Sequence, residues 1–451
     1  MSGADDLERM YFVEQELLKR WPESKLEPTL ERIAYLCDAL GSPQLSYPTI
    51  HITGTNGKTT TSRMIDAILY QLGYRTGRFT SPHLESITER IAINGEPISA
   101  EGFVATYDDI ALYLEMVDSR HSHPLSFFEA ICAMAFVAFA EYPVDVGVIE
   151  VGMGGEWDAT NVVNGTVNVI TPVGFDHMEY LGSTIEAIAG TKSGIIKPGS
   201  ITVLSAQEMA AAKVLLEKCI EVESVPLREG IEFSLASREI ALGGQLLSID
   251  GVNGKYHDIF LPLHGLHQAH NATVAIAAVE AFIGEKTLDE EVVREAFSLV
   301  KSPGRLEVVL RDPTVILDAA HNPHGVTSLR DTLGHEFDFT YRIGVVAPMG
   351  DKDVDGMLTL MEETFDLVIV TKNSSHRALE VDRLEAMAKT KFSPDRVIAV
   401  ADLPSALEMA ISKANERNLS EASSSAVIVT GSVVTVGEAR VLMRRRRGLS
   451  S

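Results

Sequence analysis

The chain has 451 residues, 45% apolar, 6% aromatic and 23% charged, which is too long for one ordinary core and has the composition of a globular protein with two domains. With 63 acidic and 39 basic residues, its net charge of −24 argues against nucleic acid or an anionic membrane as a partner. No run is long and apolar enough to cross a bilayer, the acidic start MSGADDLERM is unlike a signal peptide, and three scattered cysteines fit reduced thiols, so a cytoplasmic protein is expected.

Residues 46–52 (SYPTIHI) predict a buried strand, and GTNGKTT (54–60) follows it. Beyond this, Met64, Ile65, Ile68, Leu69 and Leu72 share one helical face, with Gly73 as the stop. A strand, a glycine loop and a helix in that order make the setting of a phosphate-binding loop. Gly54 and Gly57 let backbone N–H groups turn inward around Thr55 and Asn56, and the helix start adds partial positive charge. Lys58 supplies a full charge to the terminal phosphates, and Thr59 or Thr60 offers a hydroxyl to Mg²⁺. The general pattern is incomplete, because Ile52 stands where its first glycine belongs.

A helix is predicted over 126–141 and strands over 146–152 and 166–173, an alternation that implies a parallel sheet. Glu150 ends the first of these strands beside Gly152, Gly154 and Gly155, which suits a Mg²⁺ ligand. His177 follows Asp176 after the next strand. A lone histidine is more often structural, but Glu150 one strand earlier lets the two converge on one metal region. Residues 231–263, with short alternating runs and Gly-Gly and Asn-Gly turns, predict a small antiparallel meander.

The pattern restarts after SPGRLEVVL (302–310), with strands expected at 314–318, 342–347, 367–371, 396–400 and 426–430. Two α/β domains are therefore expected, 1–301 and 302–451, meeting at a hinge near Lys301 to Gly304 with a ligand cleft between them. The basic run Arg444 to Arg447 reads as a solvated or frayed tail.

The shortened loop GTNGKTT resembles the ATP site of the Mur ligase superfamily. Further blocks narrow the resemblance to the folylpolyglutamate synthase / dihydrofolate synthase family. They are SPHL (81–84), SFFE (126–129), EVGMGGEWDATN (150–161), DHMEYLGSTIEAIAGTKSGIIKPG (176–199), HGLHQAHNATVA (264–275), PGRLE (303–307), LDAAHNPHG (317–325) and VTGSVVTVGEAR (429–440), and they span both domains in the family's order. The fold this implies is α/β: a P-loop N-terminal domain with a mostly parallel sheet and a small antiparallel meander, and a Rossmann-like C-terminal domain.

The resemblance also implies residue roles. Ser81, Glu150 and His177 would be metal ligands alongside Thr59, serving two Mg²⁺ sites. Lys192 would be carbamylated: CO₂ adds to its amine and turns a cation into a carboxylate that supports the second Mg²⁺, which requires a neutral amine and hence a lowered pKa. ATP would further meet Asn271, Arg305, Asp318 and His321, with Arg305 reaching the phosphates on domain closure. Folate would lie near Pro82, His83, Ser126, Phe127, Phe128, Glu129 and Asp158, and near KLEPTLERI (25–33); core packing explains the two phenylalanines equally well. Three positions depart from the family pattern: Thr191 beside Lys192, Glu156 after Gly155, and Ala319 after Asp318.

The implied activity is ATP-dependent amide ligation. ATP phosphorylates a carboxylate, and the α-amine of L-glutamate displaces phosphate from the acyl phosphate. Tetrahydrofolates are the favoured acceptors, which makes the chain a polyglutamylating enzyme that also takes dihydropteroate if it is bifunctional, and a monomer is expected. A ligase for UDP-linked muramyl peptides is less favoured, since the phosphate loop near residue 53 leaves no room for a UDP-binding domain ahead of it. A P-loop ATPase switch is the alternative from another class.

Overall fold

The computed structural model describes residues 3–22, 28–284, 286–421, 424–446 and 448. Residues 25–27 of the N-terminal stretch expected near folate, and Arg447 of the basic run, lie outside the described residues. By its internal contacts the chain divides into two compact units. One runs to Glu239 and adds Leu246–Leu261 and Ala269–Val300; the other holds Ile240–Gln245, Pro262–Gln268 and the chain from Lys301 onward.

The first unit is built on eight strands: β1 (Thr49–Thr53), β2 (Thr76–Phe79), β3 (Ile91–Ile93), β4 (Glu96–Pro97), β5 (Val146–Glu150), β6 (Gly165–Ile170), β7 (Ile201–Leu204) and β8 (Val225–Arg228). They lie in the order β4-β3-β2-β5-β1-β6-β7-β8. From β2 to β8 every pairing is parallel, and β3 and β4 close one edge antiparallel. All five residues of β1 are buried, as expected of a central strand covered on both faces. It begins three residues later than the apolar run suggested, because Ser46 ends a short 3-10 turn that carries the chain to Pro48.

Helices Gly3–Leu18, Glu31–Ala39, Ala100–Asp118 and Phe127–Glu141 contribute Leu17, Leu36, Leu114 and Phe136 to one core. Ile188, Leu204 and Leu215 help form another. Ser126 caps the helix Phe127–Glu141 with a reciprocal box: its hydroxyl accepts the Glu129 N–H at 3.1 Å, and Glu129 Oε2 accepts the Ser126 N–H at 2.8 Å. Ser126→Ala is expected to lower stability by about 1 kcal/mol, read as a lower denaturant midpoint with an unchanged slope.

Strands β9 (Ser234–Ala241), β10 (Gly244–Asp250) and β11 (Lys255–Leu261) form a separate sheet in the order β11-β10-β9, where the meander was expected. The second unit carries β12 (Glu307–Arg311), β13 (Thr314–Leu317), β14 (Tyr341–Val346), β15 (Leu367–Val370), β16 (Val397–Ala399) and β17 (Ser425–Thr430). Their order is β12-β13-β17-β14-β15-β16, parallel except for β12. Arg444, Arg445 and Arg446 form the last turn of helix Val433–Arg446 rather than a frayed end, and Arg446 pairs with Glu408. Basic side chains at that end complement the helix dipole.

Candidate active site

Strand β1 delivers its last residue into the glycine loop. Gly54 has φ +149° and Gly57 has φ +88°, and Gly57 precedes the first residue of helix Lys58–Gln71. A Cβ on Gly54 would lie 1.9 Å from Thr171 Oγ1 and is excluded there, whereas one on Gly57 would meet only the tip of the Asn271 side chain, Oδ1 at 2.6 Å, and is held back chiefly by the positive φ. Asn271, expected at the nucleotide, is thus beside the loop. Thr55 anchors the turn, its N–H donating to Pro172 O and its hydroxyl to Gly174 O, each at 2.9 Å. Asn56 is half-buried and Thr60 is buried.

Two lysines converge on one carbonyl. Lys58 Nζ donates to Gly54 O at 3.0 Å, and Lys192 Nζ donates to the same oxygen at 2.9 Å. Lys192 is buried at the end of helix Ile185–Ser193, and burial, reinforced by the Lys58 charge, lowers its pKa from 10.5 to about 7. Asp176 and Asp158 oppose that shift.

Beside the loop, Thr59 Oγ1 donates to Glu150 Oε1 at 2.9 Å. A hydroxyl and a carboxylate this close are hard oxygen donors of the kind Mg²⁺ takes while keeping water and phosphate oxygens for the rest of its shell. Among the described residues no group of three His, Cys, Asp or Glu is gathered to hold a metal. Ser81 is half-buried two residues beyond β2, in a loop held by Glu89, whose carboxylate accepts the N–H groups of Leu84, Glu85 and Ser86 at 2.9, 3.0 and 3.0 Å. His177 has φ +49°; its N–H donates to Asp176 Oδ1 at 2.9 Å, and its Nε2 lies 3.8 Å from Asp176 Oδ2. His177 stands at the N-cap of the short helix Met178–Leu181, and Asp176 holds its backbone N–H.

The residues expected at folate fall into three groups. Pro82 is exposed, while His83 Nδ1 accepts Arg90 Nε–H at 3.0 Å; burial first and Arg90 second lower the His83 pKa to about 4. Arg90 also lies 4.9 Å over the ring of Phe127. Phe127 is buried in the core, whereas Phe128 is half-buried, 5.9 Å from Phe79 and against Gly152. Glu129, besides capping with Ser126, pairs with buried Arg32 at 3.3 Å. Asp158 accepts from Met153 N at 2.8 Å and from Thr160 Oγ1 at 2.6 Å, and Thr160 Oγ1 in turn lies 2.9 Å from His51 Nε2. This carboxylate is committed to holding the 152–161 loop against β1, and burial raises its pKa.

In the second unit Asp318 follows β13. Its two carboxylate oxygens accept the N–H groups of Leu306 and Ala320 at 3.0 Å each, and burial raises its pKa against the charges of Arg305 and His321. Arg305 is half-buried, with its N–H on Ser302 O at 3.1 Å. His321 Nδ1 lies 2.9 Å from Ala319 O.

Comparison with known proteins gives the family. Residues 52–279 match the Mur ligase middle domain and residues 304–433 match the Mur ligase, glutamate ligase domain. The chain is 48% identical to the dihydrofolate synthase/folylpolyglutamate synthase of Mycobacterium tuberculosis over 98% of its own length and 95% of that protein. The chain belongs to this family. Its members are ATP-dependent ligases. The crystal structure of Mycobacterium tuberculosis folylpolyglutamate synthase complexed with ADP and AMPPCP superposes with a TM-score of 0.93 at 49% identity, covering 97% of this chain and 99% of that one. E. coli FolC in complex with DHPP and ADP gives 0.85 at 26% identity, covering 97% and 98%.

Against the folylpolyglutamate synthase / dihydrofolate synthase pattern, the three departures are accommodated locally. Ala319 is outside the residues with positive φ, so its Cβ costs no backbone strain. Thr191 places Cγ2 against Gly154, and its carbonyl accepts the Glu156 N–H at 2.9 Å. The Glu156 side chain is exposed. Sequence reasoning missed a buried ion pair on the helix after the loop: Arg78 Nε donates to Asp66 Oδ2 at 2.8 Å, with both side chains 3% exposed. An arginine inside TGRF, between buried strand positions, was the available signal.

Proposed function

We propose that this ligase joins the α-amine of L-glutamate to the γ-carboxylate of tetrahydrofolates, with dihydropteroate as a second acceptor. The observation that carries the reading is the glycine loop opening onto Lys58, with Thr59 and Glu150 paired at 2.9 Å beside it. A carboxylate oxygen of the acceptor attacks the γ-phosphorus of ATP, the bond to the bridging oxygen breaks, and ADP leaves with that electron pair. The amine then adds to the carbonyl of the acyl phosphate, loses a proton, and phosphate departs as the amide forms. No enzyme nucleophile is needed. The chain's task is to position three substrates and balance charge.

The backbone N–H groups of residues 55–60 and Lys58 would hold the triphosphate at the helix start. Thr59, Ser81, Glu150 and His177 would hold Mg²⁺, which supplies Lewis-acid stabilisation of the phosphoryl oxygens. Carbamylated Lys192 would support a second Mg²⁺, and its buried amine with a pKa of about 7 supports that reading, because CO₂ adds only to the neutral form. The nucleotide roles of Arg305, Asp318 and His321 and the folate roles of Pro82, His83, Phe127, Phe128 and Asp158 rest on the family resemblance. A monomer in the cytoplasm completes the proposal; no described helix is long and apolar enough to cross a membrane.

ADP release should require both a folate acceptor and glutamate, and mass spectrometry should find products lengthened by glutamate. ATP hydrolysis at full rate without either would replace the ligase by a switch. Complementation of strains lacking each activity separates the two acceptors.

A further inference from the structure

Helix Lys58–Gln71 places Thr59, Arg63 and Asp66 on one face, at spacings of four and seven residues. The outer two are tied to adjacent strands. Thr59 reaches Glu150 at the end of β5, and Asp66 takes Arg78 of β2, with β2 and β5 parallel neighbours and Phe79 opposite Ile149. Arg63 stands between these ties, below the edge from which Glu150 and the Ser81 loop emerge. It is half-buried, and among the described residues it makes no hydrogen bond and no ion pair.

The charges acting on Arg63 are those of Arg78, Glu89, Glu150 and Asp66. Glu89 binds three backbone N–H groups, Glu150 takes Thr59 on Oε1 and Asp66 takes Arg78 on Oδ2; yet Arg63 pairs with none of them, although Asp66 Oδ1 and Glu150 Oε2 are buried without a hydrogen-bond partner. An arginine kept only as their counter-charge would pair with one of them. Instead a planar fork of donors, charged at every physiological pH, is left in a partly desolvated place, which is costly unless an anion arrives.

Resting on the ligase reading above, we infer that Arg63 binds the carboxylate of the acceptor, the group that receives the phosphoryl. The ATP phosphates are served by the loop N–H groups and Lys58. Arg63 lies about 6 Å further along the helix than Thr59, four residues at the α-helical rise. A carboxylate must come to an already anionic triphosphate, so a cation on its far side removes the repulsion, and the guanidinium fork matches its two oxygens.

The test uses full-length Arg63→Gln and Arg63→Lys with tetrahydrofolate and with its γ-carboxamide analogue, which lacks the charge. In Arg63→Gln the acceptor KM should rise about 10- to 100-fold, the worth of hydrogen bonds to a charged group, with ATP affinity held within about twofold. Lysine should restore part of the loss, and the carboxamide should bind wild type and Arg63→Gln alike. An unchanged acceptor KM overturns the assignment. So does an equal loss of carboxamide binding or of ATP binding, either of which makes Arg63 a structural counter-ion. A wild-type protein without acceptor-dependent ADP release would instead sink the ligase reading itself.

Discussion

Gly54→Ala is expected to lower kcat/KM for ATP about 10³-fold, the scale lost when preorganised donors to a developing charge are displaced. The residue has φ +149°, and the new Cβ would meet Thr171 Oγ1 at 1.9 Å and the Thr171 carbonyl oxygen at 2.9 Å. Thr171 cannot simply step aside, because its N–H and hydroxyl both bind Thr53 O, at 2.9 and 3.2 Å, where β6 ends against β1. The loop would have to move instead, taking with it the carbonyl that receives Lys58 and Lys192. Steady-state kinetics with calorimetric ADP binding checks this. A loss below about tenfold would mean that this turn does not cradle phosphate.

Lys192→Ala should remove turnover to a similar degree, about 10³-fold, since a carboxylate supporting a metal contributes several kcal/mol to phosphoryl transfer. If the lysine works as a carbamate, a short carboxylate such as acetate should restore part of the rate in Lys192→Ala and leave wild type unaffected. Turnover of Lys192→Ala equal to that of wild type in bicarbonate-containing buffer would remove the role. Stability gives a second readout in CO₂-free buffer. With a folded pKa of about 7 against 10.5 for a free lysine, the unfolded chain binds more protons between these values, so stability rises with pH across that window. Below about 7 the cost of the buried cation is present in full. Denaturant midpoints at neutral and alkaline pH should therefore diverge in wild type and much less in Lys192→Met.

The strand, glycine turn and helix around Lys58 were legible because glycine, lysine and threonine in that order mark a tight turn opening a helix. The helix at 127–141 was legible too, since its capping box and apolar run agree. Strands β2 to β4 and the first two helices were not. β2 has four residues and carries Arg78, which a hydropathy pattern scores as exposed; only its partner Asp66, twelve residues back on another element, makes it a core residue. Arg63 escaped for a related reason. Its spacing from Thr59 and Asp66 is visible in the string, but that it stands without an ion pair is a fact of three dimensions. The strand expected at 46–52 starts too early because Tyr47 is buried without being in a strand.

Two lysine side chains donating to one carbonyl oxygen, at 3.0 and 2.9 Å, make an uneasy pair. If Lys192 takes up CO₂, as proposed, it becomes an anion, the oxygen keeps a single donor, and two rivals become attracted neighbours. Protein stored in degassed buffer would settle into the uncarbamylated form. On return to air it should show a lag before steady turnover, timed by gas uptake and indifferent to how quickly the chain folds.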